Sequence, residues 1–374
     1  MTTDRRTLLQ GAAAWAALSG STWALAQTPV GTTTSVVSRT FDPQPGNWRT
    51  FEVTTRVDLL KPDGISRVWL PVPSVNTDWQ QSGISSFSSN GRARMRSDSL
   101  QGVHMLLAEF APNIDKPYVE ITSRVQTKNR SASASSTAGV PAEDAATLQY
   151  FTRATQFLPT DGIVRETALK AIAGATADAD KVRAIYDWIV TNAWREPKVR
   201  GCGEGDIKTM LETGNLGGKC ADINALFVGL CRSVGIPARD VYGLRLAPSA
   251  FGYKELSGNP LSLKGAQHCR AEAYINGRGW MAMDPADVAK VMRLETSDWI
   301  KSPQHPVVQP VYQKLFGGWE GNWLAWNMAH DVTLPQSQGD RLGFFMYPVA
   351  ENQEGRFDSY APDDFRYQIS AREI

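Results

Sequence analysis

Gly217-Gly218-Lys219-Cys220-Ala221-Asp222-Ile223-Asn224-Ala225-Leu226-Phe227 is the stretch whose reading decides the fold. Two glycines end a loop and a cysteine opens a helix. Ile223, Phe227, Leu230 and Cys231 continue at helical spacing, and Gly235-Ile236-Pro237 stops the element. A cysteine in the first turn of a helix meets unpaired backbone N–H groups and the positive end of the helix dipole. Both favour thiolate over thiol. The glycines let a substrate backbone approach and leave the Cys220 N–H free to hold an oxyanion. Cysteine is a poor helix cap beside serine, aspartate or asparagine, so a capping role explains its place less well than a chemical one.

A thiol nucleophile needs a base. Of the four histidines, His268 stands in a strand-like context. The run from Gln267 to Ile275 alternates, Asn276-Gly277-Arg278-Gly279 signals a turn, and Trp280-Met281-Ala282-Met283-Asp284-Pro285 returns. For Asp284 to hold the His268 imidazole, both must lie on one face, which requires an odd-length connection. A three-residue loop, Asn276 to Arg278, sets Asp284 opposite Arg270 and makes His268 its diagonal neighbour, with Cβ atoms about 7–8 Å apart. A two- or four-residue loop would split the pair. The same alternation turns Cys269 away from His268. That tells against a zinc site of Cys202, Cys220, His268 and Cys269, and the chain has no C-x-x-C or H-x-x-x-H pair.

The amino terminus reads as a targeting segment. Arg5-Arg6 precede an uncharged apolar run from Leu8 to Leu25, and Ala24-Leu25-Ala26 has the small-x-small form of a cleavage site. Residues 1–26 are expected to be a signal peptide of twin-arginine type. A general secretory signal with two arginines is the alternative, and the small residues of the run tell against a membrane anchor. Without this segment the basic and acidic residues balance at 37 each. Such a chain has no basic excess for nucleic acid. No later stretch is apolar enough to span a bilayer, and the expected location is periplasmic or secreted. That compartment is oxidising. Four cysteines then suggest two disulfides, in competition with a reduced Cys220. A bridge from Cys202 to Cys269 or to Cys231 stays open.

Residues 27–47, rich in Thr, Ser, Gln and Pro, read as a flexible leader. Period-two alternation at Phe51, Val53, Thr55, Val57 and Leu59 follows, then strand-like runs at Val68–Leu70, Met105–Phe110 and Tyr118–Val125. These predict a small antiparallel β domain over residues 48–127, in which His104 is a surface or strand residue. Residues 128–143 are low in complexity and read as a linker. Val164, Ala168 and Ile172 predict one helix, and Asp180 could cap a second carrying Val182, Ile185, Trp188 and Ile189. The helices open a core over 144–298. Residues 299–374 form a Trp-rich extension. Trp319, Trp323 and Trp326 fall at helical spacing and read as core rather than as a carbohydrate platform. Phe344–Tyr347 and Phe365–Ile369 read as closing strands.

Three blocks together resemble the transglutaminase-like superfamily. They are Gly-x-Cys-x-Asp-x-x-x-Leu-Phe from Gly218 to Phe227 with its Gly-Ile-Pro-Ala-Arg ending at Gly235–Arg239, the His268 block, and Gly-Trp-x-x-x-Asp-Pro from Gly279 to Pro285. Order and spacing agree, with 48 residues from Cys220 to His268 and 16 more to Asp284. The resemblance covers residues 145–290. It extends more loosely to exported bacterial members with a β domain in front. It departs after His268, where Cys269-Arg270 replace a frequent Ala-Trp, a difference that bears on the cleft rather than on the triad.

The resemblance implies an α+β fold, a papain-like transglutaminase core preceded by a small antiparallel β-sandwich domain. It implies acyl transfer through a thioester on Cys220, with His268 as proton shuttle and Asp284 fixing the tautomer. No cofactor or metal is implied. Trp188 and Trp194 lie where the family often supplies a second oxyanion donor, although core packing is the commoner role. The expected function is hydrolysis of amide or peptide bonds in a protein or peptide substrate. Cross-linking as a protein-glutamine gamma-glutamyltransferase is the close alternative. A non-catalytic cell-envelope scaffold is the alternative of another class.

Overall fold

The alternation at Phe51–Leu59 builds the strand Arg49–Leu59, whose odd residues from Phe51 on are buried and whose even residues are half-exposed. The computed structural model describes residues 39–98, 102–131, 142–361 and 365–374. The signal peptide expected at 1–26 lies outside them. Arg49–Leu59 pairs antiparallel with Tyr118–Thr127, which pairs with Gln80–Ser89. A second antiparallel sheet runs in the order Gly355–Arg356, Val349–Asn352, Ser66–Val72, Val103–Phe110, Arg92–Asp98. Val53, Val57 and Ile121 of the first sheet and Val68, Leu70 and Leu106 of the second share one core. This is the expected β-sandwich. Two of its strands, Gln80–Ser89 and Arg92–Asp98, are serine- and arginine-rich and mostly exposed, so they carry no alternating apolar signal.

The α+β core follows. The helices Gly162–Ala171 and Asp178–Asn192 bury Val164 and Ala168, and Val182, Ile185 and Ile189. The second helix begins before Asp180, with Ala177 as its N-cap. Acidic side chains in a first turn favour the helix without capping it, and Asp180 sits in that turn. The helix Cys220–Ser233 is buried along its whole length. It packs between these helices and the antiparallel sheet Gly279–Met283, Gln267–Ile275, Ala238–Arg245, Trp323–Asn327.

Four expectations about boundaries are corrected. The leader is anchored from residue 39 on: Arg39 pairs with Glu295, and Phe41 is buried against Phe251 and Tyr253. The described start of the linker is structured, since Arg130–Ser131 pairs with Gly318–Trp319 and Arg130 binds Glu272. Residues 299–374 do not stand apart. Phe365–Glu373 pairs with Arg49–Leu59, Val349–Asn352 joins the second sheet, and Trp323–Asn327 joins the core sheet. Phe344–Tyr347 is not a strand. Trp319, Trp323 and Trp326 are buried, but on strands and not on a helix. From residue 39 onward the described chain therefore forms one compact unit.

Among the polar contacts between sandwich and core is a two-point clamp. The buried Gln80 amide donates to Ala325 O at 2.8 Å and accepts from Ala325 N at 2.7 Å, in the manner of a neighbouring strand. Gln80→Leu strands both backbone groups and is expected to cost about 2–4 kcal/mol, read as a lower denaturation midpoint at unchanged slope.

Candidate active site

The loop before Cys220 is shaped by one carboxylate. Asp222 accepts N–H groups from Lys219 at 2.8 Å and from Glu204 and Gly205 at 2.9 Å each. It thereby ties the two loops that flank the helix start. A Cβ on Gly203, at φ +87°, would lie 1.9 Å from an Asp222 oxygen, and one on Gly218 would lie 2.5 Å from the Asp222 Cβ. Ala221 N–H is used by Cys202 O at 2.9 Å, whereas Cys220 N–H has no partner among the described residues.

The hairpin supplies the other two groups. Its loop is Asn276–Arg278, with Ile275 opposite Gly279 and Ala271 opposite Met283. Continued by one step, this register sets Asp284 opposite Arg270. Asp284 then leaves the ladder to cap the helix Pro285–Leu294 through the Asp287 N–H at 3.0 Å. Its second oxygen lies 2.8 Å from His268 Nε2. A carboxylate at Nε2 requires a proton there, and the Nδ1 side of the ring is left to Cys220. The Cys220 sulfur lies within electrostatic reach of His268 and of the Cys202 and Cys269 thiols. Cys220, His268 and Asp284 are thus brought together, all at least nine-tenths buried.

Charge density around the imidazole is high. Asp287 Oδ1 is 3.4 Å from His268 Nε2, and Arg245 Nη2 is 2.5 Å from the same oxygen. Arg270 Nε lies 3.5 Å from Asp284, with its guanidinium over Trp323 at 4.5 Å and Trp319 at 5.2 Å. Burial would lower the His268 pKa. The Asp287 and Asp284 carboxylates outweigh it and Arg245, raising the ring to about 9. Burial also opposes the Cys220 thiolate, but hydrogen bonds from Cys202, Cys269 and His268 bring its pKa well below the usual thiol range. Hydrogen bonding to Cys220 and burial push Cys202 up, and burial pushes up Cys269 and Cys231.

The expectation that alternation removes Cys269 from the site is corrected. The helix start abuts the beginning of the strand, where Gln267 O receives the Cys202 thiol at 3.4 Å, so side chains from both faces reach Cys220. All four cysteines are free thiols. Cys231 lies about 16 Å along the helix from Cys220 at 1.5 Å per residue. Among the described residues, the one grouping of three donors fit for a metal is His268, Asp284 and Asp287, within 4.8 Å of one another. Arg245 and Arg270 already occupy its carboxylates. Trp194 packs its indole against Gly217, and Trp188 is half-buried against the core. A cavity of about 590 Å³ passes Gly203, Gly217 and Tyr360 beside the Cys220 loop.

Asp287, Arg245 and Asn224 escape the sequence reading. Asn224 binds Cys269 O at 2.8 Å and Asp284 at 3.4 Å. The available signal was Asp-Pro-x-Asp, an N-cap with an acid at the third helical position.

A cysteine at a helix start, faced by a histidine and an aspartate from an antiparallel hairpin, is the arrangement of papain-like α+β folds. Residues 165–285 match the family model of the transglutaminase-like superfamily, and this segment belongs to that superfamily. It is 35% identical over 343 residues to an uncharacterized protein of Haemophilus influenzae, covering 87% of this chain and 91% of that one. It is similar at 18% identity to a cysteine protease candidate of Cytophaga hutchinsonii, over 88% of this chain and 99% of that one, with TM-score 0.48. It is also similar at 15% identity to the periplasmic domain of TgpA from Pseudomonas aeruginosa, over 71% and 93%, with TM-score 0.33. Among the described residues no helix is long and apolar enough to cross a membrane.

Asp222→Ala is expected to cost about 2–4 kcal/mol, because it strands three N–H groups. Asp222→Asn keeps one acceptor oxygen and should cost less. Chemical denaturation of the two variants measures the difference.

Proposed function

We propose that the protein is an exported thiol enzyme that breaks amide or peptide bonds by acyl transfer through Cys220. The observation that carries this reading is the His268 imidazole, held by Asp284 at 2.8 Å on one side and within electrostatic reach of the Cys220 sulfur. The thiolate attacks the carbonyl carbon, and the carbonyl π pair moves to oxygen. The unpartnered Cys220 N–H at the positive end of the helix is a donor for that oxyanion. Collapse breaks the C–N bond while His268 gives a proton to the departing amine, leaving a thioester. Water then adds to the thioester as His268 takes its proton. The C–S bond breaks, the acid leaves and the thiolate returns. Asp284 accepts the Nε2 hydrogen bond throughout and keeps the ring in one tautomer.

Hydrolysis follows when water resolves the thioester, and cross-linking follows when an amine does. The Arg5-Arg6 segment supports export to the periplasm or beyond. Glycines at 203 and 217 along the adjoining cavity suit a peptide backbone as substrate.

At pH 6, iodoacetamide should modify Cys220 at least about tenfold faster than Cys231. His268→Ala should abolish that preference, as read by mass spectrometry of labelled peptides. Slow, equal labelling of all thiols would point instead to a non-catalytic envelope module. Incorporation of a labelled primary amine into a glutamine-containing protein would reassign the activity from hydrolase to transferase.

A further inference from the structure

The proposed acyl transfer uses one carboxylate, yet His268 faces two. Asp287 is fully buried in the first turn of Pro285–Leu294, 3.4 Å from His268 Nε2 and 2.5 Å from Arg245. An acid at this helical position ordinarily reaches back toward the cap or out to water. This one turns inward to the imidazole. We propose that Asp287, held by Arg245, is a second positioning carboxylate for His268: it faces the nitrogen that Asp284 hydrogen-bonds and balances the imidazolium that stands beside the Cys220 thiolate.

The charges around the ring show why a second carboxylate is needed. Asp284 and Asp287 face His268 from the helix start, Arg245 from the end of its strand, Arg270 from the histidine's own strand, and Cys220 from its helix. Tyr186 stays a neutral phenol, since burial and then Asp284 raise its pKa well above the ordinary value. Lys290, one turn beyond Asp287, is engaged by Glu255. Arg245 and Arg270 are met by Asp287 and Asp284, with the buried Glu320 carboxylate acting on both from farther off, and the imidazolium is met by a thiolate. Without Asp287 the ring would lie near two guanidiniums and a single carboxylate. A third cation there would be opposed in a medium of low dielectric. Asp287 favours the charged ring through its charge, and Asp284 through its charge and its hydrogen bond. The hydrogen bond of Asp284 sets the tautomer, and the two charges together set how readily the ring holds its second proton.

The test uses the mature full-length chain and rests on the acyl-transfer reading. His268 is followed by ¹⁵N-histidine NMR against pH, and Cys220 by its iodoacetamide rate against pH. In the wild type His268 should titrate at about 9. In Asp287→Asn it should titrate roughly one unit lower or more, a tenfold change in the proton affinity of the ring, and the upper inflection of the Cys220 alkylation profile should move down in pH with it. A merely structural role would lower stability and leave both profiles in place. Should Asp287→Asn fail to fold, Asp287→Asn combined with Arg245→Gln removes both charges and strands neither. The shift should keep its direction and shrink, since Arg245 opposes Asp287. Profiles that coincide with the wild type in a folded variant overturn the proposal. A wild-type Cys220 that reacts as an ordinary thiol overturns the acyl-transfer reading instead.

Discussion

The two oxygens of Asp284 have different tasks, and the geometry of the site follows from that division. One takes the Asp287 N–H and starts a helix; the other takes His268 Nε2 and aims the ring. Asn224, one turn into the helix that Cys220 opens, binds Asp284 and Cys269 O together. Helix, hairpin and cap are therefore fixed at one point. An apolar residue at 284 would uncap a helix, free an imidazole and release Asn224 in one step. None of these contacts can be adjusted alone, because interiors are packed too tightly for continuous adjustment.

The surrounding charges are expensive. Arg245, Arg270, Asp284 and Asp287 are all buried, and taking such groups out of water costs several kcal/mol each unless every polar atom finds a partner. Arg245 gives a second bond to Leu256 O at 3.0 Å, and Arg270 gives one to Glu320 O at 3.0 Å. Trp319 and Trp323 cover the Arg270 guanidinium and exclude water. The stability gained by such a cluster is small. What it provides is a dry setting in which each fixed charge acts strongly on the ionisation of thiol and ring.

The sequence was most legible where chemistry and local geometry coincide. Gly-Gly-Lys-Cys marked a helix start, and Asn276-Gly277 marked a turn whose odd length brings His268 and Asp284 to one side. The sandwich strands with one buried face were visible by alternation. Gln80–Ser89 was not, because its side chains are largely polar on both faces. Pairing of Phe365–Glu373 with Arg49–Leu59 was out of reach, since a contact between opposite chain ends leaves no local pattern. The tryptophans misled in form only: their spacing fits a helix, but Gly321-Asn322 separates Trp319 from the strand that carries the other two. Arg245 and Asp287 look like ordinary charges until the fold buries them together.

The sandwich, read from sequence as a separate domain, belongs to the support of the site. Gln80 holds Ala325 by both backbone groups, and Ser74 N–H reaches Trp326 O at 3.0 Å. Between them they dress the outer edge of Trp323–Asn327. That strand in turn sends the Trp323 indole N–H to His268 O at 2.8 Å and its ring over Arg270. A change in the sandwich therefore reaches the imidazole through two hydrogen bonds and one packed ring, with no flexible linker between. The tail is drawn into the same support: Phe365–Glu373 covers an edge of the first sandwich sheet that would otherwise be exposed. The site is thus assembled from both ends of the chain around a central helix, and the cysteine–histidine geometry depends on strands more than a hundred residues away.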